Sequence, residues 1–322
     1  MKPVRILLLL LLIAGCNSGG EKPGEITLLT LKGPSAVGMI YLIDSPDGVI
    51  PGKLNIEILD EPMIVRARML KDRPEMTVLP LNMAAILYNK GLPYQLVAVP
   101  VWGSLYLFGT DTAITDWESL RNKRIFLMGK GTTPDIVFRF LLERNGLDPE
   151  RDVTLDYSFP THIDLANAVG AGIAALAVIS EPLVSLARLR NPAVRQILDL
   201  NREWQKVFPD EPDLPQTALL ARSDFIGEHP GWVRKICDRW AQSTDSVNRY
   251  PALAAPGIVA SHILPDTTAA RLSVPGSHLK FGFASDLRPV IIRYLQVLYN
   301  FNPDAVGGKI PDEKFIAPRP DH

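Results

Sequence analysis

The sequence predicts an α/β protein with two open, mostly parallel sheets, each flanked by helices and joined where the chain crosses between them twice. Three observations carry this. Short apolar, strand-like runs alternate with helical patterns through most of the chain, as in parallel sheets covered by helices. An apolar run continues directly past Pro100 (VWGSLYLF, 101–108) and reads as a strand leaving one sheet for another. A polar, Pro-rich stretch, PDEPDLP at 209–215, marks the return.

The opening unit is ITLLTLKGPSAVGM at 26–39. Its Ile, Leu and Thr run reads as a strand, Gly33-Pro34-Ser35 breaks it, and a helix starts at Ala36. A strand at 54–59 follows, then a helix at 62–70 with Pro62 near its start. Next come a strand at 75–79, a helix at 83–89 entered through Leu81-Asn82 and stopped by Gly91, and a strand at 94–100. Beyond the crossing, 117–120 makes one helical turn, 124–128 a strand, 129–134 a loop and 135–144 a helix closed by Asn145-Gly146. Strands at 153–157, 173–179 and 195–200 alternate with helices at 163–169 and 181–189. After a strand at 216–221 the chain is mostly helical, at 230–248, 251–262, 267–272 and 286–300. Residues 274–284 read as irregular, and 302–320 as an extended tail over one half.

The predicted organisation is therefore discontinuous. Lobe 1 takes 25–102 and 216–322, lobe 2 takes 103–215, and the crossings fall near 101–105 and 214–216. A cleft between two such lobes, with strand-to-helix loops opening into it, is where a ligand binds in this architecture. Closure about the crossings is the expected motion.

Composition agrees with a globular chain: 322 residues, 47% apolar and 21% charged, with 23 Gly and 28 Pro, indicate neither disorder nor collagen. The net charge is -1, and no Lys/Arg cluster occurs, so nucleic acid is not a partner by this reading. Residues 1–16, MKPVRILLLLLLIAGC, join a basic start to an apolar core too short for a membrane span. Residues 1–15 are read as a signal peptide. Ile13-Ala14-Gly15-Cys16 resembles a bacterial lipobox, with Cys16 the lipidated first residue and 16–24 a tether. The protein is then held to a membrane from outside the cytoplasm, in the periplasm or at the cell surface. Cys237, left without a partner, lies in the helical pattern WVRKICDRW and reads as a packing residue. His162, His229, His262, His278 and His322 show no metal-ligand spacing, so neither a metal nor another cofactor is expected.

The candidate binding residues sit in loops between strands and helices. Gly33 and Ser35 precede one helix, and Gly131, Thr132 and Thr133 precede another. Helix starts present unpaired N–H groups and the positive end of a dipole, which suit an acidic or polar ligand group. The bland reading of these hydroxyls is helix capping. Asn82 either caps its helix or bonds the ligand. Trp102 and Ser104 lie on the crossing, where Trp102 either stacks on a planar ligand or packs the hinge. Phe159 either walls the cleft or covers the lobe core. Glu181 caps a helix, bridges the lobes or accepts from a ligand amine, and capping is the favoured role. His162 begins a helix and faces solvent or cleft.

With those residues in view, the chain over about 26–316 resembles the solute-binding proteins of ABC importers. The group it is most similar to is the nitrate/sulfonate/taurine and thiamine-precursor binding family. The resemblance is carried by the lipobox, Gly33-Pro34-Ser35, Leu81-Asn82, the run from Trp117 through Leu120, Asn122 and Lys123 to Ile125, the loop Gly131-Thr132-Thr133, and Ser180-Glu181-Pro182. It implies the type II periplasmic-binding-protein fold, in which a hydroxyl-bearing loop of the second lobe often touches the ligand. It also implies a monomer that captures a small solute, an anion or a pyrimidine-like heteroaromatic, and delivers it to an ABC permease with a cytoplasmic ATPase. The chain itself carries no Walker A spacing: Gly129-Lys130-Gly131-Thr132-Thr133 does not fit it. One departure concerns charge. No Arg falls in a cleft loop, since Arg66, Arg68, Arg139 and Arg144 all read as helical, mostly on solvated faces. Two alternatives share the fold: a ligand-sensing lipoprotein, and an enzyme like those of thiamine-pyrimidine synthesis. The latter consume a His of their own in a Cys-rich context that this chain lacks, so no catalysis is expected.

Replacing the lipidated residue tests the export reading. Cys16→Ser is expected to move the protein from the membrane fraction to the soluble fraction, scored by immunoblot. Retention of the variant on membranes would rule out the lipid anchor.

Overall fold

A computed structural model gives the structure of residues 24–210 and 213–320. The expected signal segment, Cys16, and all of the tether but Gly24 lie outside the described residues. The chain begins with strand β1 (Glu25–Leu31) and a helix broken into two short pieces, α1 (Pro34–Gly38) and α2 (Ile40–Asp44). Strand β2 (Lys53–Leu59), helix α3 (Pro62–Asp72), β3 (Met76–Pro80), α4 (Leu81–Asn89) and β4 (Tyr94–Val101) follow. Pro62 at the start of α3 has no N–H to waste on an unpaired helix start, and Arg73 in the left-handed region ends that helix.

The second set is β5 (Leu105–Gly109), β6 (Arg124–Leu127), α5 (Thr133–Arg144), β7 (Thr154–Asp156), α6 (His162–Gly170), β8 (Leu176–Ser180), α7 (Leu183–Arg190), β9 (Arg195–Asp199) and α8 (Leu200–Val207). The chain then returns through β10 (Thr217–Arg222). It ends with α9 (Ser223–Glu228), α10 (Pro230–Arg249), α11 (Pro251–Ala260), α12 (Thr267–Ser273), β11 (Leu279–Phe283) and α13 (Arg288–Phe301). No helix among the described residues is long and apolar enough to cross a membrane.

Two mixed sheets result. The first has six strands in the order β11-β4-β10-β3-β1-β2, and the second five in the order β7-β6-β8-β5-β9. Within the first, β1, β2, β3 and β4 run one way, and β10 and β11 run against them. Within the second, β6, β7, β8 and β9 run one way and β5 is reversed. The expected parallel direction thus holds for most strands. The first strand the chain forms on entering each sheet from the other, β5 or β10, runs against its neighbours.

The crossing segments pair with each other. Trp102 bridges Pro215, Gly103 N donates to Leu214 O at 2.7 Å, and Gln216 N donates to Val101 O at 3.1 Å. The ribbon is packed from one side by Asn201, whose Oδ1 accepts from Leu214 N at 2.8 Å. Gly103 has φ 22, and a Cβ there would stand 2.1 Å from Asn201 Oδ1. Glycine is therefore required at this position for backbone and for space.

Three expectations are corrected, and one unassigned run proves helical. Residues 274–284 are not irregular throughout: Leu279–Phe283 is β11, an edge strand on β4. The internal Gly282 and a register shift concealed it. The polar run Leu200–Val207 is helix α8, capped by Asp199, whose carboxylate accepts from Asn201 N and Arg202 N. The strand expected from 173 starts only at Leu176, because Ile173 is in a turn and 73% exposed. The tail is not merely extended; short 3-10 turns at Pro303–Val306 and Glu313–Phe315 bury Phe315 and bridge Ile316 to Leu96. Cys237 is fully buried on α10.

Gly103→Ala is expected to lower unfolding free energy by about 3 kcal/mol or more, since it adds both strain and overlap. Urea denaturation checks this, and a change below about 1 kcal/mol would mean the ribbon is not closely packed.

Candidate functional site

Loops at the C-terminal ends of the co-directional strands carry most of the candidate residues. Gly33 and Ser35 follow β1, Asn82 follows β3, Gly131 to Thr133 follow β6, Phe159 follows β7 and Glu181 follows β8. Two hydrogen bonds tie the two sheets' sides together near these ends. Thr133 Oγ1 donates to Asn82 Oδ1 at 3.0 Å, and Tyr106 OH donates to Gly276 O at 2.7 Å. Tyr294 of α13 brings its hydroxyl to 3.5 Å from Thr133 Oγ1.

At the first sheet's ends, two polar residues are largely buried. Ser35 is 2% exposed and Asn82 6%. Ser35 Oγ and Asn82 Nδ2 have no partner among the described residues, yet both keep some accessible surface. Gly33 adopts φ 136, a conformation that glycine alone takes readily, and a Cβ built there meets nothing within 4 Å. Donors on largely buried residues that still reach accessible surface are free to bond an entering acceptor. The one-turn α1 itself is too short to contribute much of a helix dipole.

The second sheet's loop is different. Gly131 N donates to Asp135 Oδ2 at 2.6 Å, so the chain's own carboxylate takes this loop donor. Asp135 Oδ1 also accepts from Arg139 Nε at 2.7 Å and from Tyr157 OH at 2.6 Å. Arg139 is shared with Glu150. Burial, then the hydrogen bond to Asp135, pushes the Tyr157 phenol up. Thr132 does not cap its helix; its hydroxyl donates to Met128 O and Gly129 O at 2.8 and 2.7 Å. A cavity of about 610 Å³ opens beside this loop and reaches Phe301 and Asn302.

Against this geometry, similarity to solved structures is informative. The chain matches a crystal structure of an ABC transporter from Parabacteroides distasonis with a TM-score of 0.80 and 27% identity, covering 91% of this chain and 98% of that one. The chain is similar to ABC-transporter solute-binding proteins. It matches the periplasmic aliphatic sulphonate binding protein SsuA from Escherichia coli at TM-score 0.74 and 14% identity, over 93% of each chain. The alkanesulfonate-binding protein SsuA from Xanthomonas axonopodis pv. citri, bound to MOPS, gives TM-score 0.67 and 14% identity over 92% of this chain and 97% of that one. No protein-family model and no curated protein matches the sequence. A further match is the ligand-binding component of an ABC-type import system from Staphylococcus aureus, at TM-score 0.68 and 11% identity, and the fold shared with these neighbours is that of periplasmic binding proteins.

Within this fold, several candidates have structural work. Trp102 is 1% exposed and donates its indole N–H to Lys280 O at 2.7 Å, so it packs the crossing and presents no face to a ligand. Ser104 is fully buried there, with both N and Oγ donating to Gln216 Oε1 at 2.8 and 3.0 Å. Phe159 is half-buried, edge-on to Phe126 at 5.4 Å, and covers the core under α6. Glu181 caps α7: its carboxylate accepts from Ser185 N and Oγ at 2.9 and 2.8 Å. Arg139, read as solvated, is 6% exposed inside the Asp135 group. His162 is desolvated, which pushes its pKa down to about 4. The imidazole is thus neutral at pH 7, and no described residue bonds it.

Sequence reasoning missed Asp135, although Thr132-Thr133-Pro134-Asp135 has the spacing by which an acidic side chain returns to a helix start. Tyr294 and Gly276 arrive from distant segments and left no local signal.

Burial raises the Glu181 pKa to about 7, from an ordinary value of 4.5. The unfolded chain therefore loses this proton first. Glu181's contribution to stability is full below pH 4.5 and declines until about pH 7. The loss is on the order of 3 kcal/mol. Denaturation at pH 5 and pH 7.5 should show this decline in the native chain and not in Glu181→Gln. An identical pH dependence in both would remove Glu181 as its source.

Proposed function

We propose that this protein captures a small solute outside the cytoplasm and delivers it to the permease of an ABC importer, making and breaking no bond. The reading is carried by two accessible, unpartnered donors on largely buried residues, Ser35 Oγ and Asn82 Nδ2, with open space at Gly33. Asn82 reaches across to Thr133 through its other amide atom, so a solute bonded there engages both sides of the cleft. The chain divides into two lobes around the two sheets, and the paired crossings act as the hinge. Closure about that hinge seals the solute and presents one surface to the permease. Lipidated Cys16 holds the protein near the membrane, and one copy suffices for binding.

The similarity to import components supports this reading, as does the placement of strand-end loops from both sheets at one boundary. A thermal-shift screen tests it, with nitrate, sulfonates, bicarbonate, pyrimidines and aromatic acids. A solute at a hundredfold excess over its Kd adds about 2.7 kcal/mol of stability. Ser35→Ala and Asn82→Ala are each expected to weaken the responding solute about tenfold by calorimetry, the loss of one buried hydrogen bond. Unchanged affinity in both variants would place binding elsewhere.

A further inference from the structure

We infer that the cleft is built for an uncharged, hydrogen-bond-accepting solute, because the loop donor before α5, Gly131 N, is already taken by the chain's own Asp135 carboxylate, which sets a negative charge beside the helix start. The inference rests on the cleft being the solute site, as proposed above. A helix start with a Gly-rich entry would ordinarily attract an oxyanion to its free N–H groups. Here Gly131 N is bonded to Asp135 Oδ2 at 2.6 Å, and Asp135 is 2% exposed. An oxyanion entering would lose that donor and meet a fixed negative charge.

Neighbouring charges do not cancel this. Asp135 and Glu150 share the single guanidinium of Arg139, which leaves that group net negative. The adjoining cavity adds Glu143 against Lys130, with Asp148 paired to Arg151. On the opposite side of the cleft, recognition falls to Ser35 Oγ and Asn82 Nδ2. Both are more than nine-tenths buried, unpartnered and neutral. Both can donate, so the group they select is an acceptor such as a carbonyl or a ring nitrogen. Neither supplies the positive charge that would compensate an oxyanion for its lost hydration.

The test is calorimetric titration of the full chain with sodium nitrate and sodium methanesulfonate, counting only heat that Ser35→Ala abolishes. The native protein should show none. Asp135→Ser, which frees Gly131 N, should gain affinity for nitrate on the order of tenfold or more. If that variant fails to fold by circular dichroism, Asp135→Asn keeps the bond to Gly131 N, removes the charge and should gain in the same direction. A Ser35-dependent anion response in the native chain overturns the proposal, and so does the absence of any gain in a folded Asp135 variant. A solute screen in which nothing binds would instead count against the cleft as a binding site, and it would leave the Asp135 result standing by itself.

Discussion

The short ribbon formed by residues 101–104 and 214–216 decides where the rest of the structure can sit. Its hydrogen bonds hold the two crossings side by side, so the chain must enter each sheet against the direction of the strands already there. The remaining strands can then run together, and their C-terminal loops gather at the boundary between the sheets. Gly103 lets the ribbon lie directly on Asn201, and Asn201 in turn holds Leu214. Ser104 and Gln216 close the same ribbon through their side chains. Residues that resemble ligand contacts in one dimension are thereby committed to architecture in three.

The two sides of the boundary are chemically unequal. The first sheet offers donors without a partner among the described residues, near a glycine that leaves room. The second offers a loop whose donor is satisfied internally, by a carboxylate held in a buried network with Arg139 and Tyr157. Symmetry of secondary structure therefore does not imply symmetry of function. A strand, a glycine and a helix start occur on both sides, and one aspartate distinguishes them.

Much of this architecture could be read from local pattern, because alternating strands and helices leave strong periodicities and their loops carry Gly, Pro, Ser and Thr. Ser35, Asn82 and Thr133 stand out as candidates for that reason. Elements whose identity depends on distant packing were not. Helix α8 is polar along most of its length and owes its place to one buried tryptophan, Trp204. Strand β11 exists because the edge of β4 is there to receive it. Trp102 illustrates the general limit: an aromatic residue on a crossing has the same sequence signature whether its ring faces a ligand or a wall. Only the bond from its indole to Lys280 distinguishes the two. The charge state of the site was equally hidden, since Asp135 acts on the loop four residues before it.

One apolar cluster runs without interruption from the first sheet, through Trp102 and Leu105, to Phe138, Trp204 and Tyr294. Tyr294 and Trp204 lie 6.2 Å apart, and Phe140 and Phe208 stack beyond them at 6.0 Å. Any swing that parts these rings must wet them. At about 25 cal/mol per Å², exposing about 200 Å² costs roughly 5 kcal/mol. The apolar cluster thus resists any displacement of α8 from α13.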